Sequence, residues 1–210
     1  MQDMANAVAL ISGGASGIGL ATAKLLRQRG AAVWIGDVQD QMGTTVAAEI
    51  GASFVHLDVT QQVDWESAVR LIESRHGRLT QLVNNAGIAA GASLETETLD
   101  GFMRTLNVNL VGVFLGCKAA VPLMTAAGGG SIVNVSSIFG MVSDPLALAY
   151  SASKGGVRAL TKSIALDLSA RATGIRANSV HPGFASTPLV STAVSEMTEA
   201  EAEAYGARTV

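Results

Sequence analysis

Six short runs rich in valine and isoleucine recur along the chain, at 8–11, 32–36, 53–57, 79–83, 131–135 and 175–180. Each gives way to turn residues, and the segments between them repeat their apolar residues with helical period. Helices are predicted from the first glycines to 29, up to about 50, over 61–76, over 99–126, and through Tyr150. Strict alternation of strand and helix argues a parallel sheet covered on both faces, because parallel neighbours need a crossover between them. Right-handed crossovers make the sheet doubly wound, with three layers α/β/α. Such sheets bind ligands outside the carboxyl ends of their strands. No linker or low-complexity tract interrupts the pattern, so residues 1–210 read as a single domain.

Composition narrows what the sheet can serve. With 49% hydrophobic and 15% charged residues the chain has the balance of a compact core rather than of disorder. Its 14 basic residues stand singly and the formal net charge is −3, which argues against nucleic-acid binding. One cysteine, Cys117 in an apolar run, leaves no intrachain disulfide and reads as a small buried hydrophobe. His56, His76 and His181 lack ligand spacing, so no metal is expected. Trp34 and Trp65 read as packing residues. The N-terminus has no signal-peptide pattern, and no uninterrupted apolar run reaches the ~18 residues of a membrane span. A cytoplasmic protein with no membrane contact is expected. The segments 107–124 and 155–170 are apolar around most of their circumference, which favours cover by a second subunit and hence a homo-oligomer, dimer or tetramer.

Two local patterns carry chemistry. "ISGGASGIG" (11–19) follows the first run and opens the first helix, with Gly13, Gly17 and Gly19 spaced G-x-x-x-G-x-G. Glycines there permit a tight turn and close approach of backbone to phosphate, and the helix N-terminus offers N–H groups to a pyrophosphate. A glycine-rich turn without a ligand is the plainer alternative. Asp37, ending the second run, can accept from adenosine ribose hydroxyls and would repel a 2′-phosphate. Ser16 and Val38 are neutral and no Arg or Lys stands nearby, which favours NAD(H) over NADP(H). The second pattern is "YSASK", with Tyr150 and Lys154 at i and i+4 on one helical face. A cation beside a phenol lowers its pKa. On that spacing alone two surface neighbours are the commoner explanation.

Taken in order, the motifs resemble those of the classical short-chain dehydrogenase/reductase family, from about 8 to 189. "SGGASGIG" is similar to its glycine motif, with Ser12 in the place of threonine. "HLDVT" resembles the segment whose Asp58 and Val59 would contact adenine. "NNAG" supplies Asn85, Ala86 and Gly87 beside the cofactor ribose, and "NVNL" supplies Asn109. "NVSSIFG" places Ser137 thirteen residues before Tyr150, the family spacing, which makes Ser136 the wrong serine. "HPGFAST" resembles the segment in which Pro182, Gly183, Ala185 and Thr187 would border the nicotinamide.

The resemblance implies a Rossmann-like fold, and a cofactor site that also takes in Ser16 and Ile18 of the glycine loop and the side chains of Tyr150 and Lys154. It implies Tyr150 as the acid–base group, Lys154 lowering its pKa and bonding the nicotinamide ribose, Ser137 bonding the substrate oxygen, and Asn109 holding a water that links Lys154 to solvent. Ile138, Met141, Leu146, Phe184, Leu189 and Val190 would face the nicotinamide. Being apolar, they suggest an uncharged secondary alcohol or ketone as substrate, of alicyclic form. Family members continue through a further helix and a seventh strand, which this chain is expected to lack. Two rivals share the fold. Nucleotide-sugar epimerases and dehydratases use a Tyr-x-x-x-Lys pair with a different glycine spacing and a sugar-binding domain, and a catalytically silent NAD-binding sensor would keep the cleft alone.

Overall fold

The computed structural model describes residues 4–189 and Ser191. Its strands are β1 (Val8–Ser12), β2 (Ala32–Asp37), β3 (Ser53–His56), β4 (Gln81–Asn84), β5 (Gly130–Val135) and β6 (Ile175–Val180). They form one parallel sheet in the order β3-β2-β1-β4-β5-β6. The helices are α1 (Gly17–Gln28), α2 (Asp40–Ile50), α3 (Gln62–His76), α4 (Leu99–Leu106), α5 (Gly112–Ala126) and α6 (Leu148–Ala170). Chain order reverses between β1 and β4, so the loops leaving these strands part in opposite directions and open a crevice at their carboxyl ends.

Strand alternation sends successive residues of β1 to opposite faces, and both are buried. Val8 and Leu10 join Trp65, Ile72, Leu82 and Met124 in a core built with α3, α5 and α6. Ala9 and Ile11 join Ala23, Ile35 and Ala47 in a smaller core beneath α1 and α2. Complete burial of side chains as large as Trp65 and Leu82 stabilises the fold by roughly 1.5–3 kcal/mol each.

The structure departs from the sequence reading in two places. The predicted helix over 99–126 is interrupted by a π-helical turn, Asn107–Val111, in which Gly112 N reaches back to Asn107 O. The side chain of Asn109 is tied to the backbone of Ile88, which draws this turn towards the crevice. By length and composition the continuous stretch Leu99–Ala126 could cross a membrane, but half of its most apolar window is buried in the protein. The sheet is also not covered on both faces throughout: Arg176, Asn178 and Val180 of β6 are exposed among the described residues.

Candidate active site

The crevice is a cleft of about 420 Å³. Its near end is the loop after β1. Gly13 has φ +62°, and a Cβ there would lie 2.7 Å from Ala86 Cα. A Cβ on Gly19 would collide with the carbonyl of Gly13. Only glycine lets these segments meet. Asn85 fixes the turn by donating from Nδ2 to Ser12 O (3.1 Å) and Gly13 O (2.9 Å). The Ser12 hydroxyl accepts from the backbone N–H groups of Asn85 and Ala86, so the serine performs the tie that a threonine hydroxyl would make.

Asp37 ends β2 at the cleft wall and is 7% exposed. Its two oxygens accept from Ala15 N (3.1 Å) and Gln39 N (3.1 Å), which aims the carboxylate across the loop. Asp58 is held by Thr60, whose N–H and hydroxyl both donate to Oδ1. Val59 is pinned from behind, because its carbonyl accepts from Trp65 Nε1 at 3.0 Å. Trp65 is therefore both packing and support.

At the far end β5 leads into Ser136 and Ser137. Ser136 donates to Lys154 O at 2.8 Å and is spent on the helix backbone. Ser137 Oγ accepts from Phe139 N at 3.2 Å, and Ser137 and Tyr150 line the same part of the cleft. Lys154 is 4% exposed; its Nζ donates to Val135 O at 2.8 Å and stands 5.6 Å from the centre of the Tyr150 ring. Burial lowers the lysine pKa to about 8. Burial raises that of the Tyr150 phenol, and the Ser137 side chain opposes the rise. The lowering of the phenol pKa that the resemblance implies is thus not supplied by these side chains.

Asn109 is fully buried. Its Oδ1 accepts from Ile88 N (2.8 Å) while Nδ2 donates to Ile88 O (2.9 Å) and Ser153 Oγ (3.0 Å). Its amide is engaged by protein at both ends. A Cβ at Gly87 would stand 3.2 Å from Asn109 Oδ1 and 3.4 Å from Lys154 Nζ, so Gly87 keeps the space between them open.

The cleft wall brings together Gly13, Ser16, Gly17 and Ile18 of the first loop, Asp37, Asp58 and Val59, and Asn85 to Gly87. Ser137, Tyr150, Lys154, Pro182, Gly183, Ala185 and Thr187 complete the expected set. Gly19 and Asn109 stand behind the wall. Sequence reading missed Ile88, Val108 and Arg104, which the fold carries to the same wall from distant segments. Arg104 is a basic residue of the cleft wall that the sequence reading did not foresee. No local pattern marks it; it is exposed on α4 next to the buried Thr105.

A second, smaller cavity of about 100 Å³ adjoins the first at Ser137 and Tyr150. Ile138, Phe139, Leu146, Phe184 and Leu189 line it, with Asp144 as its acidic group. Phe139 packs edge-on against both Tyr150 and Phe184. Met141, expected here, is instead 55% exposed and lines neither cavity. Val190 lies outside the described residues.

Comparison with known proteins agrees with the fold. The family model for short chain dehydrogenases matches residues 7–198. A 3-alpha-(or 20-beta)-hydroxysteroid dehydrogenase of Mycobacterium tuberculosis is 47% identical over 184 residues, covering 87% of this chain and 70% of that protein. A trans-4-hydroxycyclohexanecarboxylate dehydrogenase of Sinomonas cyclohexanicum is 46% identical, covering 89% and 75%. A cyclopentanol dehydrogenase of Comamonas testosteroni is 44% identical, covering 87% and 74%.

Proposed function

The chain belongs to the short-chain dehydrogenase family, and from that premise we propose that it moves a hydride between NAD(H) and an uncharged secondary alcohol or its ketone. The observation that carries the reading is the meeting of the larger cleft, walled by the glycine loop and Asp37, and the apolar cavity at Ser137 and Tyr150. A cofactor laid along the one would then present its reactive end to a substrate seated in the other.

The residues of the cleft fit a dinucleotide. The first loop leaves no room for side chains at Gly13 and Gly19, which suits a backbone closing on phosphate. Asp37 would accept from the ribose hydroxyls, Asp58 and Val59 would border adenine, and Pro182, Gly183, Ala185 and Thr187 would border the nicotinamide. When bound, the nicotinamide supplies or takes the hydride. The remaining steps belong to the chain. Tyr150 would exchange a proton with the substrate oxygen, and Ser137 would hydrogen-bond that oxygen as its charge changes. Lys154 would bond the ribose and hold positive charge beside the phenol. The open space at Gly87, between Asn109 and Lys154, suits a water passing the proton onward.

The apolar cavity and the carboxylate of Asp144 support an uncharged substrate. The names of two relatives, for cyclopentanol and a hydroxycyclohexanecarboxylate, favour an alicyclic ring, and of these two only cyclopentanol is uncharged. Separate fluorescence titrations with NADH and NADPH, followed by a panel of cyclic secondary alcohols, test the reading. NADH is expected to bind at least tenfold more tightly, and cyclopentanol or cyclohexanol to be oxidised with NAD. Equal binding of NADPH would mean that Arg104 outweighs Asp37. NADH binding without turnover of any alcohol would leave the silent sensor in its place.

A homo-oligomer is part of the same proposal. Phe114 on α5 and Leu166 on α6 are 46% and 72% exposed, more than a lone subunit's helices need. Light scattering of the eluting protein is expected to give at least a dimer mass; a monomer at micromolar concentration would refute it.

A further inference from the structure

The backbone around Ser137 is gripped by the segment that leaves β6. Ser136 N donates to Val180 O at 2.8 Å and Ile138 N donates to Pro182 O at 3.0 Å, so ladder-like pairing continues on either side of the serine. Between these bonds stands one side chain. His181 Nδ1 lies 3.1 Å from Ser137 O, a carbonyl that also accepts from Gly140 N at 2.9 Å. A carbonyl can only accept, so Nδ1 carries the proton in this contact. Nε2 lies 3.0 Å from the Ser179 hydroxyl. The ring is held at both nitrogens, one end on β6 and the other on Ser137, which lines the cleft with Tyr150.

We propose that His181 is a positioning residue, which sets the Ser137 peptide and through it the serine hydroxyl that lines the cleft with Tyr150. The inference rests on the reading of Ser137 as the group that bonds the substrate oxygen. His181 does not line the cleft, although its neighbours Pro182 and Gly183 do. Its action is therefore through the serine. The serine Oγ must meet the substrate oxygen, and a displacement of about 1 Å in such a group can cost up to ~100-fold in rate.

Two conservative variants separate this role from a general one. In His181→Asn the amide nitrogen falls near the place of Nδ1 and can still donate to Ser137 O. In His181→Gln the amide reaches the place of Nε2 and leaves that carbonyl without its side-chain donor. We expect kcat for the Asn variant to stay within about 3-fold of the parent and that of the Gln variant to fall by roughly 10- to 100-fold, with NADH affinity unchanged in both. In a Ser137→Ala background the Gln substitution should cost less than about 2-fold more, since the group it positions is gone. A Gln variant as active as the Asn variant would overturn the proposal. So would a Gln penalty undiminished beside Ser137→Ala, or a melting temperature that falls in step with the rate. If the parent protein binds NADH but oxidises no alcohol, the reading of the site itself fails, and this inference with it.

Discussion

Replacing Tyr150 by Phe is expected to lower kcat for alcohol oxidation by about 10³-fold, the scale on which a positioned acid–base group acts. NADH affinity should stay within about 2-fold, because the change removes one hydroxyl and no cleft surface. The ring's edge-on contact with Phe139, 6.2 Å between centroids, survives in the variant. Turnover and NADH titration on the same preparation check both halves. A Phe variant with rates comparable to the parent would remove Tyr150 from the chemistry.

Lys154→Met should separate function from stability in the opposite direction. Below pH ~8 the lysine is charged in folded and unfolded chain alike, and the folded state carries the cost of burying that charge. Above its ordinary pKa of 10.5 it is neutral in both, and the cost is gone. Between these values the unfolded chain binds more protons, so this group makes stability rise with pH. The full rise is on the order of 3 kcal/mol. Methionine removes the buried charge but leaves Val135 O without its donor, a loss of about 1–2 kcal/mol. The variant is therefore expected to be more stable than the parent at pH 7 by about 1–2 kcal/mol, raising Tm by roughly 2–8 °C. Its lead should vanish by pH ~10, and its activity should be lost throughout. Urea unfolding at pH 7, 8, 9 and 10 measures this difference. Parallel stability curves for the two proteins would show that Lys154 titrates at its ordinary value.

Stability is then lowest, as far as this group decides it, where the proposed chemistry needs a cation. A buried ammonium beside a buried phenol is a poor arrangement for folding alone. The neutral phenol is equally unready. Its pKa is raised rather than lowered, so a positive charge arriving with the oxidised cofactor would have to shift it down.

Much of the molecule was legible in the order of its residues. The six valine- and isoleucine-rich runs became six parallel strands; β1 and β2, buried along nearly their whole length, show as almost unbroken apolar runs, whereas β6 alternates buried and exposed residues. Gly13 and Gly19 could be singled out because backbone contact tolerates no Cβ. Ser137 was preferred to Ser136 by the family spacing to Tyr150, which the resemblance supplied. Other features have no local signature. Arg104 and Val108 reach the cleft only because a π turn and a crossover carry α4 to the mouth of β4. Asp144 enters the apolar cavity, and Met141 leaves it, according to how the loop after β5 folds over Tyr150. His181 read as an unremarkable histidine; its meaning lies in a carbonyl 44 residues away. Periodicity and spacing are properties of neighbours along the chain, so the sequence by itself determined the strands, the glycine turn and the Tyr150–Lys154 pair. Burial, and with it the pKa of each titratable group and the shape of the substrate cavity, depends on atoms brought together from distant segments. Only the tertiary structure decided those.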